Sequence, residues 1–364
     1  MLAVLFMGES LSSDEMLAPL DIVMGLRPWS KTDYDVPALY NGLPSDKVLY
    51  IQPIKVLVGQ AWRSGVPLWE PHLLSGYPII GNTQAGIFYP GTLPYIFLSG
   101  ADASDLVALF HLVMAGLGMF GFLRALGCRH LAALLGAVVS MLNTVFIVWL
   151  MWDSVAGVMV WLPWALWTFE TALRPGRLWT VVPGAMTVAL IYLGGHLQWS
   201  LYAMLALALY SAFRFIYPKT VNRRRVLVVA AILGLAGTAL AAIQLLPTLD
   251  YVSGGSRGPI PFEAMSNAVS WSGFEMLWVP KYYGPGFLRP DWWGPINYNE
   301  SMIYVGIAPL LLALLALMLR HDATVVFLPA WDYLARSVPL AATSTVWFTG
   351  CLASIAYNPC GCAI

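Results

Sequence analysis

The sequence predicts an all-α integral membrane protein, a polytopic helix bundle of about seven to nine spans. Two large extracytoplasmic loops are expected, the first carrying interfacial amphipathic helices. Three observations carry this expectation. Of 364 residues, 59% are hydrophobic and only 10% are charged, where a soluble domain of ordinary composition carries about 25% charged residues. Mean hydropathy is positive, at +0.70. Apolar runs near the ~20 residues that a membrane helix needs lie at 104–123, 131–150, 154–172, 178–198, 199–217, 226–246 and 302–320. This composition excludes a disordered chain and a nucleic-acid binder built on basic patches. It also excludes almost any water-soluble enzyme.

In chain order the expected layout is an N-terminal stub and first outer loop (1–103), a six-helix membrane core (104–246), a second outer loop (247–301), a seventh span (302–320) and an atypical tail (321–364). The opening MLAVLFM is apolar but too short to span, and no basic region precedes it. It resembles the outer end of a first transmembrane helix whose beginning is missing, a weak interfacial anchor being the alternative. From Pro53, the apolar residues Ile54, Leu57, Val58, Ala61 and Trp62 recur at helical spacing, with Lys55, Gln60 and Arg63 expected to face away. Proline at the first position suits such a helix. It is expected to lie in the membrane interface, or else to form the core of a small outer domain. The Gly-, Pro- and aromatic-rich run SGVPLWEPHLLSGYPIIGNTQAGIFYP then reads as a fixed loop. The segment 86–99, broken by Pro90 and Pro94, is expected to be re-entrant or interfacial rather than a full span.

Charge orients the spans. Arg124, Arg129, Arg174, Arg177, Arg214, Lys219, Arg223, Arg224, Arg225 and Arg320 follow alternate spans, ten of the nineteen basic residues. By the positive-inside rule these short connections are cytoplasmic and the two long, acidic loops are outside. In the tail, Cys351, Cys360 and Cys362 crowd the chain end and make neither a disulfide framework nor a metal site. A weak eighth span near 338–357 is one reading of the tail, and a fragment or shifted reading frame is the other. No Walker A sequence, dinucleotide fingerprint or HExxH is present, so the chemistry of those motifs has nothing to rest on.

An ordered series of short motifs runs from about residue 9 to about residue 320. It comprises Ser45-Asp46 with Pro53, Gly65-Val-Pro-Leu-Trp69-Glu-Pro71, Ser75-Gly76-Tyr77-Pro78, Asn82-Thr-Gln84 and Phe88-Tyr89-Pro90. Downstream come Gly194-Gly195-His196-Leu-Gln198, Gln244-Leu-Leu-Pro247, Ser256-Arg257, and Glu300 with Tyr304-Val-Gly306. The series resembles bacterial multi-pass proteins of the YfhO-like group, which belong to or lie close to the GT-C superfamily of membrane glycosyltransferases. The likeness ends after Arg320, where such proteins usually continue with more spans.

The resemblance implies transfer of a sugar from a polyprenyl-phosphate donor to an acceptor outside the cytoplasmic membrane, a glycan, teichoic-type polymer or protein. The donor's tail keeps its phosphate at the outer membrane boundary, so the site should be built from 9–103 and 247–301. Asp46 stands at the family's position for the general base, with Asp33 and Asp35 as alternatives; a solvated turn aspartate is the bland reading of each. Arg257, Lys281 and His196 are the candidates to hold the donor phosphate, since an arginine fork matches phosphate oxygens. Trp69, Asn82, Gln84, Gln198 and Glu300 are the candidates to orient substrate. His196 and Gln198 lie near membrane depth, where a polar residue is a functional suspect, although a structural histidine bonded to a carbonyl explains His196 equally well. Aromatics of the second loop, Trp271, Trp278, Tyr282, Tyr283, Trp292, Trp293 and Tyr298, could stack on sugars or form an interfacial belt. Trp149, Trp152, Trp161, Trp164 and Trp167, around Asp153, are expected to belong to such a belt. No cofactor, metal site or nucleic-acid partner is expected, and dependence on a divalent ion stays open. Two other functions compete: a transporter or flippase of a lipid-linked substrate, and a non-catalytic scaffold for envelope assembly.

Overall fold

The computed structural model describes residues 1–12, 15–31, 44–73, 75–217, 221–255, 275–284, 292–294 and 298–319. Among them the secondary structure is helical, without a β-strand; one isolated antiparallel bridge joins Glu70 to Tyr77. The expectations for Asp33, Asp35, Arg257 and the tail 321–364 lie outside the described residues.

Long apolar runs become helices because a backbone away from water must satisfy its own hydrogen bonds. We label the main helices α1 (Gln52–Trp62), α2 (Gly100–Ala125), α3 (His130–Leu142), α4 (Thr144–Trp149), α5 (Asp153–Met159), α6 (Trp161–Ala172), α7 (Val181–Leu193), α8 (Leu197–Ile216), α9 (Arg223–Leu240), α10 (Ala242–Ser253) and α11 (Ile307–Leu319). Helices α2 and α8 are individually long and apolar enough to cross a membrane, and α9 with α10 makes a third candidate, bent by 67°. Helix α2, at 26 residues, reaches about 39 Å at ~1.5 Å per residue, more than a hydrocarbon core of ~30 Å.

The run at 131–150 is divided at Asn143. Its side chain accepts from the amide of Phe146 at 3.0 Å and donates to the carbonyl of Ser140 at 2.6 Å, so one residue ends α3 and caps α4. The run 154–172 is likewise divided, at Val160 between α5 and α6.

The packing order runs α3 on α2, α2 on α6, α6 on α7, α7 on α9, and α9 on α8. Close approach of α2 and α6 depends on Gly118 and Gly121, where any side chain would overlap the indoles of Trp164 and Trp167. Trp164 Nε1 also donates to the Met114 carbonyl at 2.9 Å. These two tryptophans, expected in an interfacial belt, therefore also knit helices together. Outward faces stay apolar, with Leu117, Leu131, Leu134, Leu201 and Leu235 exposed. Apolar surface on that scale marks a membrane-facing body.

Contacts gather the short connections at two opposite ends. Arg174 donates to the carbonyl of Ala125, and Arg225 to those of Ala172 and Arg174. These bonds bring together the connections that follow α2, α6 and precede α9. At the other end lies the segment 44–99, which packs on the starts of α2, α5 and α8 and on α10. Helix α1 sits within it, covered on one side by Ile79, Ala85 and Ile87 and crossed by the short helix Pro94–Phe97. Lys55, expected to face away, is instead only 2% exposed. The reason is that its ammonium is enclosed by the Ala85 carbonyl and the Thr92 hydroxyl from the loop that follows, while Gln60 and Arg63 do face away.

Candidate functional site

The carbonyl and amide demands of the layer around α1 are met partly by buried charge. Lys47 begins a π-helical turn, Lys47–Ile51, that leads into α1. Its ammonium donates to Asp153 Oδ1 at 2.9 Å and to Ser104 Oγ at 2.8 Å. Asp153 opens α5, and its second oxygen accepts from the Tyr95 hydroxyl at 2.9 Å. Lys47 and Asp153 are 1% and 4% exposed. One ion pair with satisfied lone pairs thus joins four separate pieces of chain: the turn before α1, the helix Pro94–Phe97, the first turn of α2 and the start of α5. Burial pushes the Tyr95 hydroxyl well above the usual tyrosine range, and the Asp153 charge adds to that, so it remains a donor at neutral pH.

One helical step away, Lys55 Nζ donates to the Ala85 carbonyl at 3.1 Å and reaches Thr92 Oγ1 at 3.4 Å. Burial lowers its pKa from 10.5 to about 8; Asp153 opposes that shift and Lys47 reinforces it. Deeper still, Trp161 Nε1 donates to the Tyr89 hydroxyl at 3.1 Å, and that hydroxyl lies 2.9 Å from His111 Nε2. Burial likewise raises the Tyr89 hydroxyl above its ordinary range.

Above the ion pair lies a polar, aromatic ledge. Asn82 Nδ2 donates to the Tyr50 hydroxyl at 2.6 Å and approaches that of Tyr77 at 3.4 Å, while Asn82 Oδ1 accepts from the Gln84 amide at 3.1 Å. The Tyr77 and Tyr251 rings lie 6.3 Å apart between centroids, tilted by 43°. Both Tyr50 and Tyr77 have raised pKa values, chiefly from burial, with the hydrogen bond from Asn82 working the other way. Asp46 is exposed, directly before the buried Lys47. It stands four residues before Tyr50 in the chain.

The motif segments found along the sequence meet here. Gln244 Nε2 donates to the Ile80 carbonyl at 2.7 Å. A Cβ at Gly81 would press on Tyr251 and on the Pro247 carbonyl. Gly195, at φ +109°, sits over the Thr83 carbonyl, with 2.9 Å between that oxygen and the position of a Cβ, and Gly194 packs backbone to backbone on Gly157. A side chain at either glycine would separate these segments, so the close approach depends on the missing Cβ atoms. His196 follows at the start of α8, half-buried, its carbonyl accepting from Ser200. Asp46, Asn82, Gln84 and His196 are therefore on segments brought together.

Others are not part of this junction in the same way. Trp69 is exposed, its indole against Gly76. Its neighbour Glu70 is buried and accepts from the backbone amide and ring of His72 at 2.6 and 2.9 Å. Gln198 is exposed and bonds Tyr202 at 2.6 Å. Lys281 and Glu300 are exposed residues of the second loop region. Glu300 lies in the short helix Tyr298–Ser301, well before α11 begins at Ile307.

Sequence reasoning missed Lys47, Lys55, Tyr95 and Asp153. The available signal was Asp153 itself, an acid among tryptophans in an apolar stretch. At the opposite end a second buried pair was missed too: Glu170 Oε1 lies 3.2 Å from Arg214 and accepts from Tyr210 at 2.7 Å. Among the described residues no group of three or more His, Cys, Asp or Glu side chains is arranged to hold a metal ion. No protein-family model matches this chain, and no curated protein sequence matches it.

Proposed function

We propose that the chain is a bacterial cytoplasmic-membrane glycosyltransferase of GT-C type, similar to the YfhO-like group. It would transfer a sugar from a polyprenyl-phosphate donor to an envelope acceptor on the outer side. In this reading α3 with α4, and α5 with α6, are broken spans, and α7, α8, α9 with α10, and α11 complete a bundle of seven to nine spans. The arginine-rich end is then cytoplasmic and the ledge faces outward. One observation carries the reading. Several of the motif pieces that suggest it, the turn after Asp46, Asn82-Thr-Gln84, Gly194-Gly195 and Gln244-Leu-Leu-Pro247, meet at one end of the bundle through the contacts of Gly81, Asn82, Gly195 and Gln244.

The chemistry follows from the donor. Asp46 takes the proton of an acceptor hydroxyl, whose oxygen attacks the anomeric carbon. The bond from that carbon to the phosphate oxygen breaks with inversion, and polyprenyl phosphate leaves. Its charge calls for cationic groups, for which Arg257, Lys281 and His196 are the candidates. Asn82, Gln84, Gln198, Trp69 and Glu300 are the candidates to orient the sugar. Asp46 suits the role of base because the ion pair of Lys47 holds its backbone while the carboxylate stays open to solvent.

The test is incubation of purified protein with labelled polyprenyl-phosphate sugars, following release of polyprenyl phosphate. A positioned base contributes ~10²–10⁴-fold, so Asp46→Asn should reduce turnover by about that factor with donor binding nearly unchanged. A panel in which no donor is consumed would overturn the reading. The 67° bend between α9 and α10 favours a second one, flipping of a lipid-linked substrate, since transporters use broken helices. A flippase would move the labelled donor across a proteoliposome bilayer without cleaving it.

A further inference from the structure

Between the arginine-bearing halves of α8 and α9 lies an open apolar groove of about 480 Å³, lined among others by Met204, Leu207, Phe215, Leu227, Ala230 and Gly234. Along α9 it runs from Val226 to Gly234, about 12 Å at ~1.5 Å per residue. One leaflet of a ~30 Å hydrocarbon core is about 15 Å deep, so the groove matches a single leaflet. Nothing lies within 4 Å of where a Gly234 Cβ would sit, which leaves its inner end open.

Arg223, Arg224 and Arg225 begin α9 at the rim of the groove, and Arg214 lies in the last turn of α8. The Arg223 guanidinium is 5.5 Å from the centre of the Phe215 ring, a ring that also lines the groove. Arg224 is exposed. Arg225 is occupied by the carbonyls of Ala172 and Arg174, and Arg214 by Glu170. No acid stands in the first turn of α9, where the helix dipole already disfavours cations. Among the described residues neither Arg223 nor Arg224 forms an ion pair with a carboxylate, and both stand exposed beside a slot shaped for a hydrocarbon chain.

We propose that this groove is a binding site for an anionic phospholipid, one acyl chain lying between α8 and α9 and the phosphate meeting Arg223 and Arg224. Basic pockets between membrane helices recognise acidic headgroups in this manner. The proposal rests on the membrane character of the helices and not on glycosyl transfer, so it stands or falls separately from the enzymatic reading.

The experiment titrates the full chain, purified in detergent, with phosphatidylglycerol or phosphatidylcholine of identical chains. Native mass spectrometry counts bound lipid and the thermal midpoint follows its effect. Phosphatidylglycerol should bind one site at least about tenfold more tightly than phosphatidylcholine and raise the midpoint, with the difference shrinking as salt screens it. Arg223→Gln with Arg224→Gln should remove the preference but leave weak binding of both lipids. Gly234→Trp, placed into open space, should abolish both, while Gly234→Ala should keep both. Should the Trp variant fail to fold, the arginine variant decides alone. Equal affinity for the two lipids, or a preference that survives the arginine changes, would overturn the proposal. So would tighter binding of polyprenyl phosphate, or a dimer that Gly234→Trp splits, since either would assign the groove to another occupant.

Discussion

Lys47 and Asp153 hold one another where neither could remain alone. Removing one member of a buried pair leaves the other charge uncompensated, at a cost of about 3–5 kcal/mol, whereas replacing both with apolar residues is often neutral. Lys47→Met and Asp153→Leu should each destabilise the protein by about that much in denaturant-driven unfolding in detergent, and the double variant should recover most of the loss. Additive losses would show that the two residues act independently. Lys55 makes a second test, through pH. Its pKa is about 8 in the fold against an ordinary 10.5, so between those values the unfolded chain binds more protons. Stability should therefore rise as pH increases from about 8, by on the order of 3 kcal/mol over the whole window. Below pH 8 the cost of the buried ammonium is present in full. Tyr50 and Tyr77, with raised pKa values, act oppositely above pH ~10, so the comparison with Lys55→Met is best made at pH 7.5 to 9.5. Thermal midpoints of the variant should be flat where those of the parent rise.

Helix pairing depends on residues that a hydropathy pattern treats as interchangeable. Gly121 admits the Trp167 indole into the face of α2, and overpacking such a contact costs about 1–3 kcal/mol. Gly121→Val should lower the thermal midpoint in detergent, while Gly234→Val, with open space beside it, should not. Helical character and the apolar runs were legible in the sequence because hydrophobicity and helix length are local properties. The division of 131–150 was not, since Asn143 is one polar residue that hardly lowers the hydropathy of the run, and it breaks the helix through two hydrogen bonds. Lys55 was misassigned for a related reason: periodicity finds the apolar face of α1, but the groups that enclose the Lys55 ammonium, the Ala85 carbonyl and the Thr92 hydroxyl, come from 30 and 37 residues further along the chain. The ledge residues Asn82 and Gln84 were visible only as motif pieces. Their meeting with Gly195 and Gln244 is a property of the fold. Lys47 and Asp153 stand 106 positions apart, and no spacing rule connects them.

The molecule as a whole separates its charges into two ends. Arg124, Arg174 and Arg225 bond carbonyls at one end, and the layer around α1 caps the other. If the arginine end is cytoplasmic, cysteines replacing Arg177 and Ser253, both exposed, should react from opposite sides of intact cells in a background without native cysteines. Reaction of both from outside would reverse the orientation. The ion pair between Lys47 and Asp153 also has a consequence for how the protein is made. Its halves are 106 residues apart, which a ribosome adding roughly 5–20 residues per second takes about 5–20 s to cover. During that interval Lys47 has been synthesised and its partner has not. The layer around α1 therefore closes late, after the helix carrying Asp153 has been made and has reached the same end of the bundle. Closure of that layer waits upon the helices beneath it, and a chain in which one helix between Lys47 and Asp153 failed to insert would hold the two charges on opposite sides and leave the lysine-bearing segment undocked.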